Sequence, residues 1–116
     1  MDDILELASR LGRRIADEPR AKRMVAARAA LDASLVDRRL LSEFEDVQGR
    51  LYELESSGKP IEPEDKRRFV ELQQKVIQSS VIKDLLKAQA DFLELMTLVS
   101  QRIEVEAQGP DTPPPT

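Results

Sequence analysis

Two of the side chains on which most enzymatic chemistry rests are missing from this chain: its 116 residues contain no histidine and no cysteine. That removes imidazole acid–base catalysis, thiolate nucleophiles, disulfides, and nearly every zinc or iron–sulfur site that a chain could build from its own ligands. Carboxylates remain, clustered at Glu43, Glu45 and Asp46 and again at Glu104 and Glu106. Acid–base or metal chemistry would need them to converge, yet residues two apart on a helix point to different faces. No catalytic residue, metal ligand or cofactor is therefore assigned, and the chain is expected not to be an enzyme.

Binding chemistry is better represented. Arg10, Arg13, Arg14, Arg20, Lys22, Arg23 and Arg28 make a basic cluster, and neutralising phosphates is the main source of nucleic-acid affinity. Asp17 and Glu18 interrupt the cluster, however, and no aromatic side chain is interleaved to stack a base. Mixed charge of this kind is the ordinary composition of a solvated helix face. Residues 1 to 39 hold nine Lys/Arg and seven Asp/Glu; taken from totals of 18 and 22, that leaves nine against fifteen, so the balance passes from +2 to −6 within a net charge of −4. An RNA-binding accessory using Arg10, Arg13, Arg14, Arg20, Lys22 and Arg23 is thus the alternative reading, and direct nucleic-acid contact is not the expected mode.

Gln48 and Gln89 lie beside or within apolar stripes, near Phe44 and Phe92 respectively. A polar residue in a helical seam sets register or partner choice, whereas one at the rim reaches water, and the pattern leaves both open. A buried amide would need hydrogen-bond partners. Pro110-x-x-Pro113 has the spacing of polyproline-II ligands, but it reads as part of a disordered end.

The elements that carry these residues are all helical. Apolar residues recur at steps of three and four, β-branched residues never alternate as in a strand, and glycine is scarce. The spacing of Ile4, Ala8, Leu11 and Ile15 predicts a first helix to about Ala16. Pro19 opens a second, to about Leu31, faced by Met24, Ala27 and Leu31. Ser34 followed by Asp37 resembles a capping box and starts a third, Leu35 to Ser56, with Leu40, Phe44, Val47, Leu51 and Leu54 inward. Gly58 ends it, and Pro63 begins a fourth, to Gln78, that buries Phe69, Leu72 and Val76. The fifth, Ser80 to Ala107, contains neither proline nor glycine.

That last helix would be roughly 40 Å long at about 1.5 Å per residue, against a radius of gyration of about 13 Å for a compact domain of this size. Helix three can lie antiparallel along part of it. The rest, Leu86, Phe92, Leu93, Met96, Val99 and Ile103, is assigned to an interface with a second subunit. The expected fold is all-α, an elongated bundle of about five helices with a long helical hairpin, dimerising. One domain spans 1–107, followed by a disordered Pro-rich tail at 108–116. No apolar run approaches the ~20 residues that cross a bilayer, the first residues do not read as a secretory signal, and the lack of cysteine fits a reducing compartment. A cytoplasmic location is expected.

Five segments in order, LELASRLGRRIADE, AKRMVAARAAL, LLSEFEDVQGRL, a Gly-Lys-Pro turn, and VIQSSVIKDLLKAQADFLELMTLVSQRI, together resemble the YlbF/YmcA family of small helical bacterial regulators. The resemblance covers about residues 3 to 106. Its most characteristic parts are Phe44 with Gln48 and the run from Val81 to Gln89. It implies an all-α fold that associates as a homodimer or higher oligomer, and a non-enzymatic role in protein complexes that influence competence, sporulation and biofilm formation. An association with ribonuclease Y that affects RNA processing is also implied, with heteromeric protein partners. Some members carry a cysteine-rich C-terminal extension implicated in iron–sulfur clusters; here the chain ends in QGPDTPPPT and supplies no such ligands.

Overall fold

Five helices follow one another with short breaks in the computed structural model, which describes residues 2–109: α1 (Asp2–Ala16), α2 (Pro19–Asp32), α3 (Leu35–Ser56), α4 (Pro63–Gln78) and α5 (Ser80–Gln108). Among the described residues there is no strand. The chain is all-α as the periodicity predicts, and helix ends fall within a residue or so of the expected positions. The Pro-rich tail expected to be disordered lies, from residue 110 on, outside the described residues.

Each break has a local cause. Glu18 precedes Pro19 and caps α2: its Oε2 accepts the Arg20 backbone N–H at 2.7 Å, and its Oε1 takes the Arg20 Nε at 3.2 Å. Ser34 caps α3 by accepting the Asp37 N–H at 3.3 Å. In a capping box the acidic side chain reaches back to the cap's own backbone N–H. Here the Ser34 N–H is engaged by the Leu31 carbonyl, and the Asp37 carboxylate takes the Ser34 hydroxyl instead, at 2.6 Å. The C-terminus of α3 is a Schellman turn: Gly58 sits at φ 73°, with Lys59 N–H donating to Leu54 O at 2.9 Å and Gly58 N–H to Glu55 O at 3.2 Å. Pro63 opens α4 at a position whose N–H has no helical partner in any case.

The cap of α5 is Ser79, one residue before the serine that begins the helix. Its Oγ accepts the Ile82 N–H at 3.1 Å and donates to Asp37 Oδ1 at 2.7 Å. The carboxylate of Asp37 therefore joins the start of α3 to the start of α5. Both hydroxyls stabilise its charged form, Ser34 most and Ser79 next, and hold its pKa below the ordinary carboxylate value.

Contacts group the described chain into two units, one of residues 26–86 and one of residues 2–25 with 87–109. The first contains the apolar core: Leu31, Val76, Ile82 and Leu85, flanked by Ala27, Leu40, Leu41, Phe44 and Val81. Leu72 is buried in the same unit. Taking a leucine or isoleucine fully out of water stabilises by about 1.5–3 kcal/mol, and Leu72, Ile82 and Leu85 are the largest side chains to reach that limit.

The helical hairpin is present, with a different second arm from the one the stripes suggested. The partner of α3 is α4, not α5. The two run antiparallel, with Asp37 by Ser79, Phe44 stacked on Phe69 at 5.3 Å between ring centroids, Glu43 paired with Arg68 at 2.9 Å, and Arg50 beside Asp65 at 3.4 Å. A short turn makes consecutive helices neighbours. Leu40, Leu41 and Phe44 of α3 pack on the cluster formed by Val76 of α4, Ile82 and Leu85 of α5, and Leu31, while Phe44 also stacks on Phe69.

Candidate interaction surface

Burial differs sharply between the two units. In the unit of residues 2–25 and 87–109, the only buried hydrophobic side chains are Ala21 and Ala88. Its large aliphatic side chains are exposed or half-buried. On α1, Ile4 retains 64% of its surface, Leu7 58% and Leu11 38%. These residues share one helical face with Ala8 and the half-buried Ile15, so the face lies open for most of its length.

The long helix α5 shows the same change along a single stripe. Ile82, Leu85 and Ala88 are buried, whereas Phe92, Met96 and Val99, which continue the stripe, are only half-buried. Around it, Leu86 is exposed in the first unit, and Leu93 and Ile103 keep 66% and 52% of their surface in the second. All six residues expected at an interface, Leu86, Phe92, Leu93, Met96, Val99 and Ile103, are thus incompletely covered by their own chain. Leu98, also exposed, belongs with them. Its spacing from Leu93 and from Ile103 is five residues, which is why a stripe counted in threes and fours passes over it.

The polar candidates occupy less specialised positions. Gln48 is exposed on α3 and Gln89 is half-buried on α5; among the described residues no polar or charged residue is buried. Arg10, Arg13, Arg14, Lys22, Arg23 and Arg28 are exposed. Arg20 is set apart from them by its ion pair with Glu18 at 3.2 Å. Of the carboxylates, Glu43 is engaged by Arg68, and Glu106 lies 3.7 Å from Arg102 one turn earlier. Asp65 holds Arg50 through Oδ1, while its Oδ2 is buried without a hydrogen-bond partner. Among the described residues no three acidic side chains gather where a cation could sit, and no helix is long and apolar enough to cross a membrane.

What this surface offers is apolar area with charges at its edges, a composition from which protein–protein interfaces are built. The α1 stripe was legible as an amphipathic helix. What the periodicity could not tell is that its own chain leaves that face open.

The family described as control of the competence regulator ComK, YlbF/YmcA, matches residues 4–106, nearly the whole described chain. No protein of curated function matches.

Proposed function

The chain belongs to the YlbF/YmcA family of regulators, and we propose that it acts as a non-enzymatic adaptor that self-associates and presents a charged exterior to protein partners in the bacterial cytoplasm. The observation that carries this reading is the unit of α1 and distal α5, which buries two alanines and leaves Ile4, Leu7, Leu93 and Ile103 in water. Exposed apolar area of this kind stabilises an assembly by about 25 cal/mol for each Å² removed from water. The finer reading we propose is a role in complexes linked to ribonuclease Y-type RNA processing and through them to competence, sporulation or biofilm control; the family's description, control of the competence regulator ComK, supports its competence part.

Sedimentation velocity at micromolar concentration tests self-association. A dimer or larger species is expected, and a stable monomer defeats the reading. Leu93→Asp tests assembly without touching the buried core, because Leu93 is already exposed in the single chain. The variant should keep the α3–α4 hairpin and its core folded while losing the concentration dependence of melting that an associating protein shows.

A further inference from the structure

We propose that α1 pairs antiparallel with the α1 of a second copy of this chain, so that Asp3 of each meets Arg14 of the other and Leu5 of each lies over Gly12 of the other. The inference rests on the self-association proposed above and names the element and orientation through which part of it occurs.

A lone helix of α1's 15 residues is marginal in water and owes its stability to whatever covers its apolar face. Its own chain covers less than half of Ile4 and Leu7 and leaves Leu11 partly exposed. The charges say which way a covering helix would run. Asp3 and Glu6 occupy the first half of α1, and Arg10, Arg13 and Arg14 the second. Asp3 and Arg14 are about three turns apart and so border the same edge of the stripe. Two copies related by a two-fold axis across their helices bring that edge against itself with its ends exchanged, so each Asp3 faces an Arg14. A parallel pair would instead set the charged edge against the opposite edge of Leu5, Gly12 and Ala16, which has no charge to answer it. Oppositely directed helix dipoles favour the same choice.

The opposite edge supplies the steric part. Glycine is a destabilising residue inside a helix, and a Cβ at Gly12 would meet nothing within 4 Å in its own chain. In the antiparallel pair, position 12 lies beside position 5 of the other copy, and the missing Cβ makes room for the Leu5 side chain. The exposed α1 face amounts to on the order of 400 Å² per copy, about half of the ~800 Å² that each partner gives to a standard interface. The α1 pair is accordingly one part of a contact whose remainder comes from other uncovered residues of the same unit, Leu93, Leu98 and Ile103.

The absence of cysteine makes the test direct. In the double variant Asp3→Cys/Arg14→Cys, the two thiols of one chain lie about 16 Å apart along the helix, too far for a disulfide, which needs Cα atoms closer than about 7 Å. Under mild oxidation at micromolar concentration most of it should run as a covalent dimer on a non-reducing gel, while each single variant stays monomeric. Gly12→Leu, harmless on an open helix surface, should abolish the cross-link. A covalent dimer from Ile4→Cys alone would mean a parallel pair and overturn the proposal. Absence of cross-linking in the double variant while the protein sediments as an oligomer would overturn it and leave self-association standing. A monomer in sedimentation would defeat both.

Discussion

Replacing Ser79 by alanine tests how the chain turns from α4 into α5. The Ser79 hydroxyl does two things: it accepts the Ile82 N–H at 3.1 Å, capping α5, and it donates to Asp37 at 2.7 Å. Loss of a serine cap costs about 1 kcal/mol, and for a chain of this size that lowers the melting temperature by about 4 °C. Threonine retains the hydroxyl, so Ser79→Thr should recover most of the loss. The substitution also has a pH signature. Asp37 has a depressed pKa in the folded chain, so the stability it contributes is present above the ordinary carboxylate pKa and disappears as pH falls through the lower, folded value. Ser79→Ala removes one of the two hydroxyl donors that produce the depression, so the gap between wild type and variant should be widest near neutral pH and should narrow as Asp37 protonates. Thermal melts from pH 7 down to about pH 3, followed by circular dichroism, would show it. Equal melting temperatures for Ser79→Ala and wild type at pH 7, or a gap unchanged at the acid end, would refute the role given to this clasp.

Other parts of the structure make sharper or smaller demands. Leu85→Ala removes a nearly fully buried side chain from the core between α2, α3, α4 and α5, and should cost about 2–5 kcal/mol in urea denaturation with the slope of the transition unchanged. Gly58→Ala places a side chain at φ 73° with open space around it; the cost is backbone strain alone, about 1–2 kcal/mol, and a Gly58→Asn variant should recover part of it. Arg68→Ala breaks the exposed pair with Glu43 and should change stability by less than about 1 kcal/mol, diminishing further in added salt.

Local signals in this sequence were legible wherever a single residue type has one physical use. Proline at 19 and 63 starts helices, Gly58 ends one, and Ser34 with Asp37 starts another, all where their chemistry requires. Ser79 and Ser80 are interchangeable as caps on sequence alone, and the choice between them is made by Asp37, 42 residues away, which reaches only Ser79. The pairing of helices was less legible for a related reason. The stripes of α3, α4 and α5 are all apolar and all have compatible spacing, so pattern alone cannot rank them. The Schellman turn at Ser57–Gly58 and the short connection to Pro63 bring α4 back along α3. The aromatic pair Phe44–Phe69 then fixes the register.

The interaction surface has a different history, because hydrophobic periodicity reports that a face is to be buried and says nothing about which chain buries it. On α5 the excess length of the helix over any compact core pointed outward, and the residues so assigned are incompletely covered. On α1 no such excess exists: 15 residues fit easily within a small bundle, so Ile4, Leu7 and Leu11 pass for ordinary core positions. Their exposure becomes visible only when the rest of the unit is counted and found to bury nothing larger than Ala21 and Ala88. Two alanines cannot hold two helices' worth of leucine and isoleucine in water against the free energy of covering them. If association covers this half of the chain, as proposed above, its fold and its association are one equilibrium, and a variant that prevents association should loosen α1 and distal α5 while the α3–α4 hairpin and its core stay folded. Hydrogen exchange resolves the two: in Leu93→Asp, protection should fall in residues 2–25 and 87–109 and persist around Leu72, Val76 and Ile82. Uniform loss across both units would mean that the chain folds as a single cooperative body and that its uncovered face is not what holds α1 in place.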